Sequence, residues 1–212
     1  MKQVDRSHYD FARYMDRARW ASVWHQIDEV LRLQPAQVLE IGPGSGVFKA
    51  AAGAFGLDVI TLDPDPELKP DLVGNALTLP LADNAVDLAC AFQVLEHLPY
   101  TDALAAFGEM VRVARRHVVI SLPDAKPLWH YRFHIPRVGP FDLCVPRPFY
   151  RPRQHHFNGE HHWEISTQGY PLSRLCEDLG RMARLARRFR APDHTYHHFF
   201  IFEVAPPASV GR

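Results

Sequence analysis

Two stretches of this chain combine residue types and spacing that suit chemistry. The first is Glu40-Ile41-Gly42-Pro43-Gly44-Ser45-Gly46. Glycine serves where φ is positive, or where a Cβ would keep a ligand off the backbone, and three glycines at alternate positions imply both needs. The second stretch, residues 155–164, holds His155, His156, His161 and His162 with Glu160 and Glu164. Imidazoles and carboxylates so grouped suit a metal or proton acceptance, with a solvated histidine-rich loop as the alternative. Their spacing matches no metal-ligand pattern, so no metal is expected. His97, within Leu95-Glu96-His97-Leu98, is a further candidate general base beside His161 and His162.

The elements that must carry these residues follow from local pattern. Val38, Leu39 and Ile41 lead into the glycines and an alanine-rich run follows over 47–55, which reads as strand, tight turn, helix. Residues 57–63 form a second strand ending in Asp63, where nucleotide-binding folds put an acid for ribose hydroxyls. Asp63 also opens Asp63-Pro64-Asp65-Pro66, a sequence that starts turns. Residues 86–92 are nearly continuously apolar, as in a strand buried on both faces, and they feed Gln93. A helix over 101–113, capped by Thr101, and a strand over 117–122 complete the alternation. Strand and helix alternating over 38–122 predict a doubly wound parallel sheet, with ligands bound beyond the carboxyl ends of its strands. Gly42, Asp63, Asn75 and Gln93 all fall at such ends.

The loop does not fit G-x-G-x-x-G, because Val47 stands where the third glycine belongs. Its pattern is E-x-G-x-G-x-G, and V-D-x-x-x-x-x-x-x-L-E-H-L follows P-x-x-D-N from Pro80 onward. Together these motifs resemble the class I S-adenosylmethionine-dependent methyltransferases of the small-molecule branch. The resemblance implies an α/β fold, a doubly wound, mostly parallel seven-stranded sheet with an antiparallel C-terminal strand. It implies S-adenosylmethionine as cofactor, bound by Glu40, Gly42, Pro43, Gly44, Gly46, Asp63, Pro64, Asn75, Ala76 and Gln93. Family members carry Gly-Asp-Ala where this chain has Gly74-Asn75-Ala76, so Asn75 would offer the adenine edge a carbonyl oxygen or an amide donor. A leading helix covers the cofactor pocket in that family, and Tyr9 or Tyr14 would then reach the ligand. Methyl transfer is an in-line displacement in which positioning supplies most of the catalysis, so a base is needed only for some acceptors. Two other functions fit the glycine loop: an NAD-dependent oxidoreductase, disfavoured by Val47, and a non-catalytic module that binds S-adenosylmethionine.

The remainder of the chain is read by composition and period. Residues 9–33 have largely helical apolar spacing, with Trp20 and Trp24 one turn apart and expected to pack on the sheet. Residues 125–159 break the rhythm with six prolines, many aromatics and a single acid, Asp142. A segment this long is not an ordinary connection, so residues 125–163 are expected to cap the site, the alternative being a structural arm packed on the sheet or a dimer contact. Trp129, Arg132, Tyr150, Glu160 and Trp163 are the expected substrate contacts, with Arg137, Arg147, Arg151 and Arg153 available for an acidic group. A helix over 167–179 and strands over 182–189 and 197–204 follow, and the resemblance to the methyltransferase fold implies that these strands close the sheet as an antiparallel pair. The expected organisation is one domain: helical cover 1–34, cofactor half 35–124, cap 125–163, and helix with strand pair 164–205.

Twenty-four basic and 24 acidic residues cancel, so no global field recruits nucleic acid or an anionic membrane. Cys90, Cys144 and Cys176 are odd in number and widely spaced, as expected of reduced thiols in a cytoplasmic protein. No stretch approaches the ~20 apolar residues of a membrane span. The expected partner is a small-molecule substrate, with neither nucleic acid nor membrane, and the expected state is a monomer or homodimer.

Overall fold

The computed structural model describes residues 11–205. A short helix α1 (Phe11–Tyr14) is followed by α2 (Arg17–Arg32), β1 (Gln37–Ile41), α3 (Val47–Ala54), β2 (Asp58–Asp63) and β3 (Leu72–Val73). Then come β4 (Val86–Phe92), α4 (Tyr100–Val113), β5 (Ala114–Pro123), β6 (Leu128–Ile135), β7 (Gly139–Pro146), α5 (Leu172–Gly180), β8 (Arg184–Ala191) and β9 (His194–Glu203).

Seven strands form one sheet in the order β3-β2-β1-β4-β5-β9-β8. The first five are mutually parallel, and β9 runs antiparallel to both of its neighbours. This is the expected architecture. Its cause is visible in β1, β4 and β5, whose side chains are buried along most of their length, so both faces must be covered by helices. One core layer packs α4 and α5 on the sheet through Phe107, Met110, Leu175, Leu179 and Phe202. The other packs α2 and α3 through Val30, Phe48, Ala52 and Ile201.

Several boundaries moved, each for a local reason. The helical pattern over 9–33 divides at Asp16, whose carboxylate accepts from Arg19 N–H (2.7 Å) and caps α2. Trp20 and Trp24 face solvent, 53% and 58% exposed, while Ser22, Val23, Gln26, Glu29 and Val30 are the buried face, so the expected tryptophan packing is corrected. Helix α4 starts at Tyr100 with Pro99 as its uncapped N-terminal neighbour, and Thr101 does not cap it. Helix α5 starts at Leu172 because Thr167 closes a tight turn instead: its hydroxyl donates to the Glu164 carbonyl (2.7 Å) and Ser166 takes a positive φ of 67°.

The expected irregular lid begins as a β-hairpin. β6 and β7 pair antiparallel in a separate two-stranded sheet, with Trp129 opposite Val145, Tyr131 opposite Leu143 and Phe133 opposite Phe141. Those aromatic and aliphatic residues occupy one face, and most are exposed. His130, Arg132 and Asp142 hold the other face, where Arg132 reaches Asp193 (2.9 Å) and ties the hairpin to the start of β9.

Candidate active site

The cavity lies at the carboxyl edge of the parallel strands and measures about 490 Å³. Its glycine loop follows β1, and Gly42, Gly44 and Gly46 have φ of 68°, 52° and 72°. A Cβ on Gly42 would meet the Val94 side chain at 2.6 Å, so the loop closes on the residue after Gln93 as tightly as glycine permits. Gly46 then sits at the N-cap of α3. Behind the loop, Asp71 accepts from Lys49 Nζ (2.5 Å), Thr61 N–H (2.7 Å) and Thr61 Oγ1 (2.7 Å), which pins α3 to β2 and holds the Asp71 carboxyl down to about 2.

Glu40, Gly42, Pro43, Gly44, Asp63, Pro64, Asn75, Ala76 and Gln93 all line this cavity. Gly46 does not; Ser45 and Val47 line it on either side. Glu40 is buried, its Oε2 has no hydrogen-bond partner among the described residues, and burial pushes its carboxyl up to about 8. Asp63 Oδ1 accepts the Asp65 N–H (2.8 Å), so the same side chain makes the turn and faces the cavity, and burial raises its carboxyl. Asn75 likewise accepts from Leu77 N–H (3.0 Å). Gln93 holds a positive φ of 57°, a strained conformation for a non-glycine residue, and is fixed by Gln93 N–H donating to the Ser121 carbonyl (2.9 Å).

A second part of the lining comes from distant segments. His97 and His161 stand edge to face with ring centroids 5.1 Å apart. His97 Nδ1 pairs with the Glu160 carbonyl (3.0 Å) and His161 Nδ1 with Glu164 Oε1 (2.9 Å), the same oxygen that accepts from the Tyr196 hydroxyl (2.7 Å). The neighbouring carboxylates outweigh burial and raise the His161 imidazole, whereas burial lowers that of His97. His194 and His197 stack at 3.8 Å, and His197 Nδ1 bonds the Ser22 hydroxyl of α2 (2.7 Å). Helix α2 and the turn before it contribute Met15, Arg19, Val23 and Gln26, with Arg19 4.2 Å above the Tyr14 ring.

The expected site residues are thus divided. His97, His161, Glu160 and Tyr14 line the cavity; Tyr9 lies outside the described residues. His162 does not line it: its N–H donates to the Glu96 carbonyl (2.9 Å) and its ring lies against Phe157. Trp129, Arg132, Tyr150 and Trp163 do not line it either. Trp129 is on the exposed hairpin face, and Arg132 is engaged by Asp142 and Asp193. The Tyr150 hydroxyl donates to the Ser166 carbonyl (2.9 Å). Trp163 is a core residue whose indole N–H donates to the Leu98 carbonyl (3.1 Å). Of residues 125–163, only Glu160 and His161 line the cavity.

Arg19, Gln26, His194, Tyr196 and His197 were not anticipated. A signal for the last three did exist: a strand antiparallel to β5 begins where β5 ends. The register pairs His197 with Pro123 and His198 with Leu122, so the start of β9 is carried to the carboxyl edge of the sheet.

The model of a methyltransferase domain matches residues 39–122, which span β1 to β5. An uncharacterized methyltransferase of Mycobacterium leprae is 37% identical over 90 residues, 37% of this chain and 33% of the relative. One from Mycobacteroides abscessus is 33% identical over 108 residues, 44% of this chain and 40% of the relative. The matched region therefore spans only about a third to two-fifths of these relatives' length. Among solved structures, the 1,6-didemethyltoxoflavin-N1-methyltransferase of Burkholderia thailandensis superposes with a TM-score of 0.62 at 14% identity, covering 94% of this chain and 84% of that one. A S-adenosylmethionine-dependent methyltransferase from Aquifex aeolicus gives 0.61 at 16% identity, covering 95% and 100%. Residues 39–122 thus match the model of a methyltransferase domain, and the chain shares the fold of methyltransferases of known structure.

Proposed function

We propose that this protein binds S-adenosylmethionine and transfers its methyl group to a small-molecule acceptor. The observation that carries the reading is the convergence of the glycine loop, Glu40 and Asp63 at the ends of adjacent strands on one cavity, beside an imidazole-rich lining. The fit is chemical. Gly42 and Gly44 let a ligand approach the backbone, Asp63 keeps an oxygen for ribose hydroxyls, and Glu40 Oε2 is a buried oxygen without a partner among the described residues. Asn75 and Ala76 stand for the adenine edge, while Arg19 supplies a cation for a carboxylate. When bound, the cofactor supplies a methyl group on a sulfonium leaving group that needs no activation by the protein.

The chain's own task is then to exclude water, align an acceptor, and deal with the acceptor's proton where it has one. His97, His161, His194, Tyr196 and His197 surround the space available to an acceptor. Structural neighbours support methyl transfer: the structure of the B. thailandensis enzyme holds 1,6-didemethyltoxoflavin and S-adenosylhomocysteine, and that of a magnesium protoporphyrin IX methyltransferase of Synechocystis holds S-adenosylmethionine. Calorimetry with S-adenosylmethionine, S-adenosylhomocysteine and NAD tests the proposal. Saturable binding of the first two is expected. Binding of NAD alone would assign an oxidoreductase, and cofactor binding without methyl transfer to any member of an acceptor panel would favour a non-catalytic module.

A further inference from the structure

We propose that Glu96, His97 and His161 form a binding site for one divalent transition-metal ion in the wall of the cavity. No metal was expected from the sequence, because the spacing within residues 155–164 matches no metal-ligand pattern, and Glu96 lies far from that stretch in the chain. In the fold, the short loop after β4 and the segment before α5 bring together one donor atom from each of the three residues, all within 4.8 Å of one another. With metal bonds of ~2.0–2.2 Å, donors to one ion stand ~3–4 Å apart, so small side-chain rotations close the set.

The second observation is Glu96 itself. It is fully buried, and apart from its own backbone N–H its carboxylate oxygens have no hydrogen-bond partner among the described residues. A buried carboxyl group so placed costs stability in either protonation state: ionised it is a charge that no cation hydrogen-bonds, and neutral it is an O–H without an acceptor. A cation shared with two imidazoles removes both costs.

The third is how the imidazoles are held. His161 Nδ1 is bonded to the Glu164 carboxylate (2.9 Å) and His97 Nδ1 to the Glu160 carbonyl (3.0 Å). Oxygen acceptors of this kind fix the orientation of metal-ligating histidines and raise their basicity. Two imidazoles and a carboxylate suit zinc, cobalt, iron or manganese better than calcium. Because His97 and His161 line the cavity, an ion there keeps a side open to a bound molecule.

The consequence for the acceptor rests on the methyl-transfer reading: an open ion of this kind selects a hydroxyl-bearing acceptor. Coordination lowers the hydroxyl's pKa and its proton leaves to solvent. The oxygen's electron pair then forms the bond to the methyl carbon as the carbon–sulfur bond breaks towards sulfur.

The test is titration of the chelator-treated full chain with Co²⁺ alone, read by ligand-field absorption. One saturable equivalent is expected. Glu96→Gln and His161→Ala should each weaken it by more than ~100-fold, the upper end of the cost of even outer-shell changes, while S-adenosylmethionine affinity in metal-free buffer stays near wild type. His156→Ala should leave Co²⁺ binding unchanged. Absence of saturable binding, or binding lost in His156→Ala but kept in both other variants, would overturn the site and assign the ion to surface histidines. Cofactor binding is read separately, so Co²⁺ binding without it would keep the site and sink only the methyl-transfer reading. Catechol should shift the cobalt bands, and unshifted bands would overturn the hydroxyl assignment.

Discussion

The two parts of the cavity lining are built by different means. The glycine-loop part comes from successive strand-to-helix turns, each fixed by a few adjacent residues: positive-φ glycines after β1, the Asp63 turn after β2, the strained Gln93 after β4. The histidine part is assembled from three segments that meet only in the folded chain, the Leu95–His97 turn, residues 160–161 and the start of β9. Its positions depend on packing behind it, above all on Trp163 and on the register of β9 with β5. Turn chemistry writes the first part locally, whereas long-range packing writes the second.

The largest effect should come from removing that packing. Trp163→Ala deletes a fully buried indole and its bond to Leu98, and should cost ~3–5 kcal/mol of stability in a denaturant titration. Cofactor affinity of the fraction still folded should change far less; a proportionate loss would show that the two parts of the lining are not independent. Asp63→Ala should do the reverse. It should weaken S-adenosylmethionine binding by ~1–3 kcal/mol in calorimetry with the fold retained, and unaltered affinity would make Asp63 a turn residue only.

Glu40 distinguishes the parts by pH. Its carboxyl is raised in the folded chain from about 4.5 to about 8 by burial, so its contribution to stability is complete below pH ~4.5 and is lost as pH rises through 8. Glu40→Gln, which cannot ionise, should therefore gain on the wild type in denaturation midpoint between pH 5 and pH 8 and match it at low pH. A constant offset across that range would contradict the burial argument. The smallest effect belongs to Arg132 on the exposed hairpin. Arg132→Ala breaks surface ion pairs with Asp142 and Asp193 and should leave the denaturation midpoint nearly unmoved and cofactor affinity unchanged. A large loss of affinity would return the hairpin to the role of a lid.

The alternation of strand and helix over 38–122, the glycine loop and Asp63 were all legible in the sequence, and so was the antiparallel closing pair. The hairpin was legible too, since Trp129, Tyr131, Phe133 and Ile135 alternate with His130, Arg132 and His134 at the period of a strand. Its prolines and basic residues outweighed that period in the reading. The tryptophans of α2 misled for a simpler reason: large apolar side chains are often exposed, and only the neighbours in space decide which face of a helix is covered.

By itself, then, the sequence determined the sheet's parallel half and the turns at its carboxyl edge, because residues a few positions apart settle φ, strand period and helix start. Only the tertiary structure decided which of the aromatic and histidine residues meet the cavity. Trp163 went to the core and His161, two residues earlier, to the site, while His194 and His197 arrived through the register of an antiparallel strand. Those outcomes are set by contacts between segments distant in the chain, and no local pattern encodes which distant partner a side chain will find.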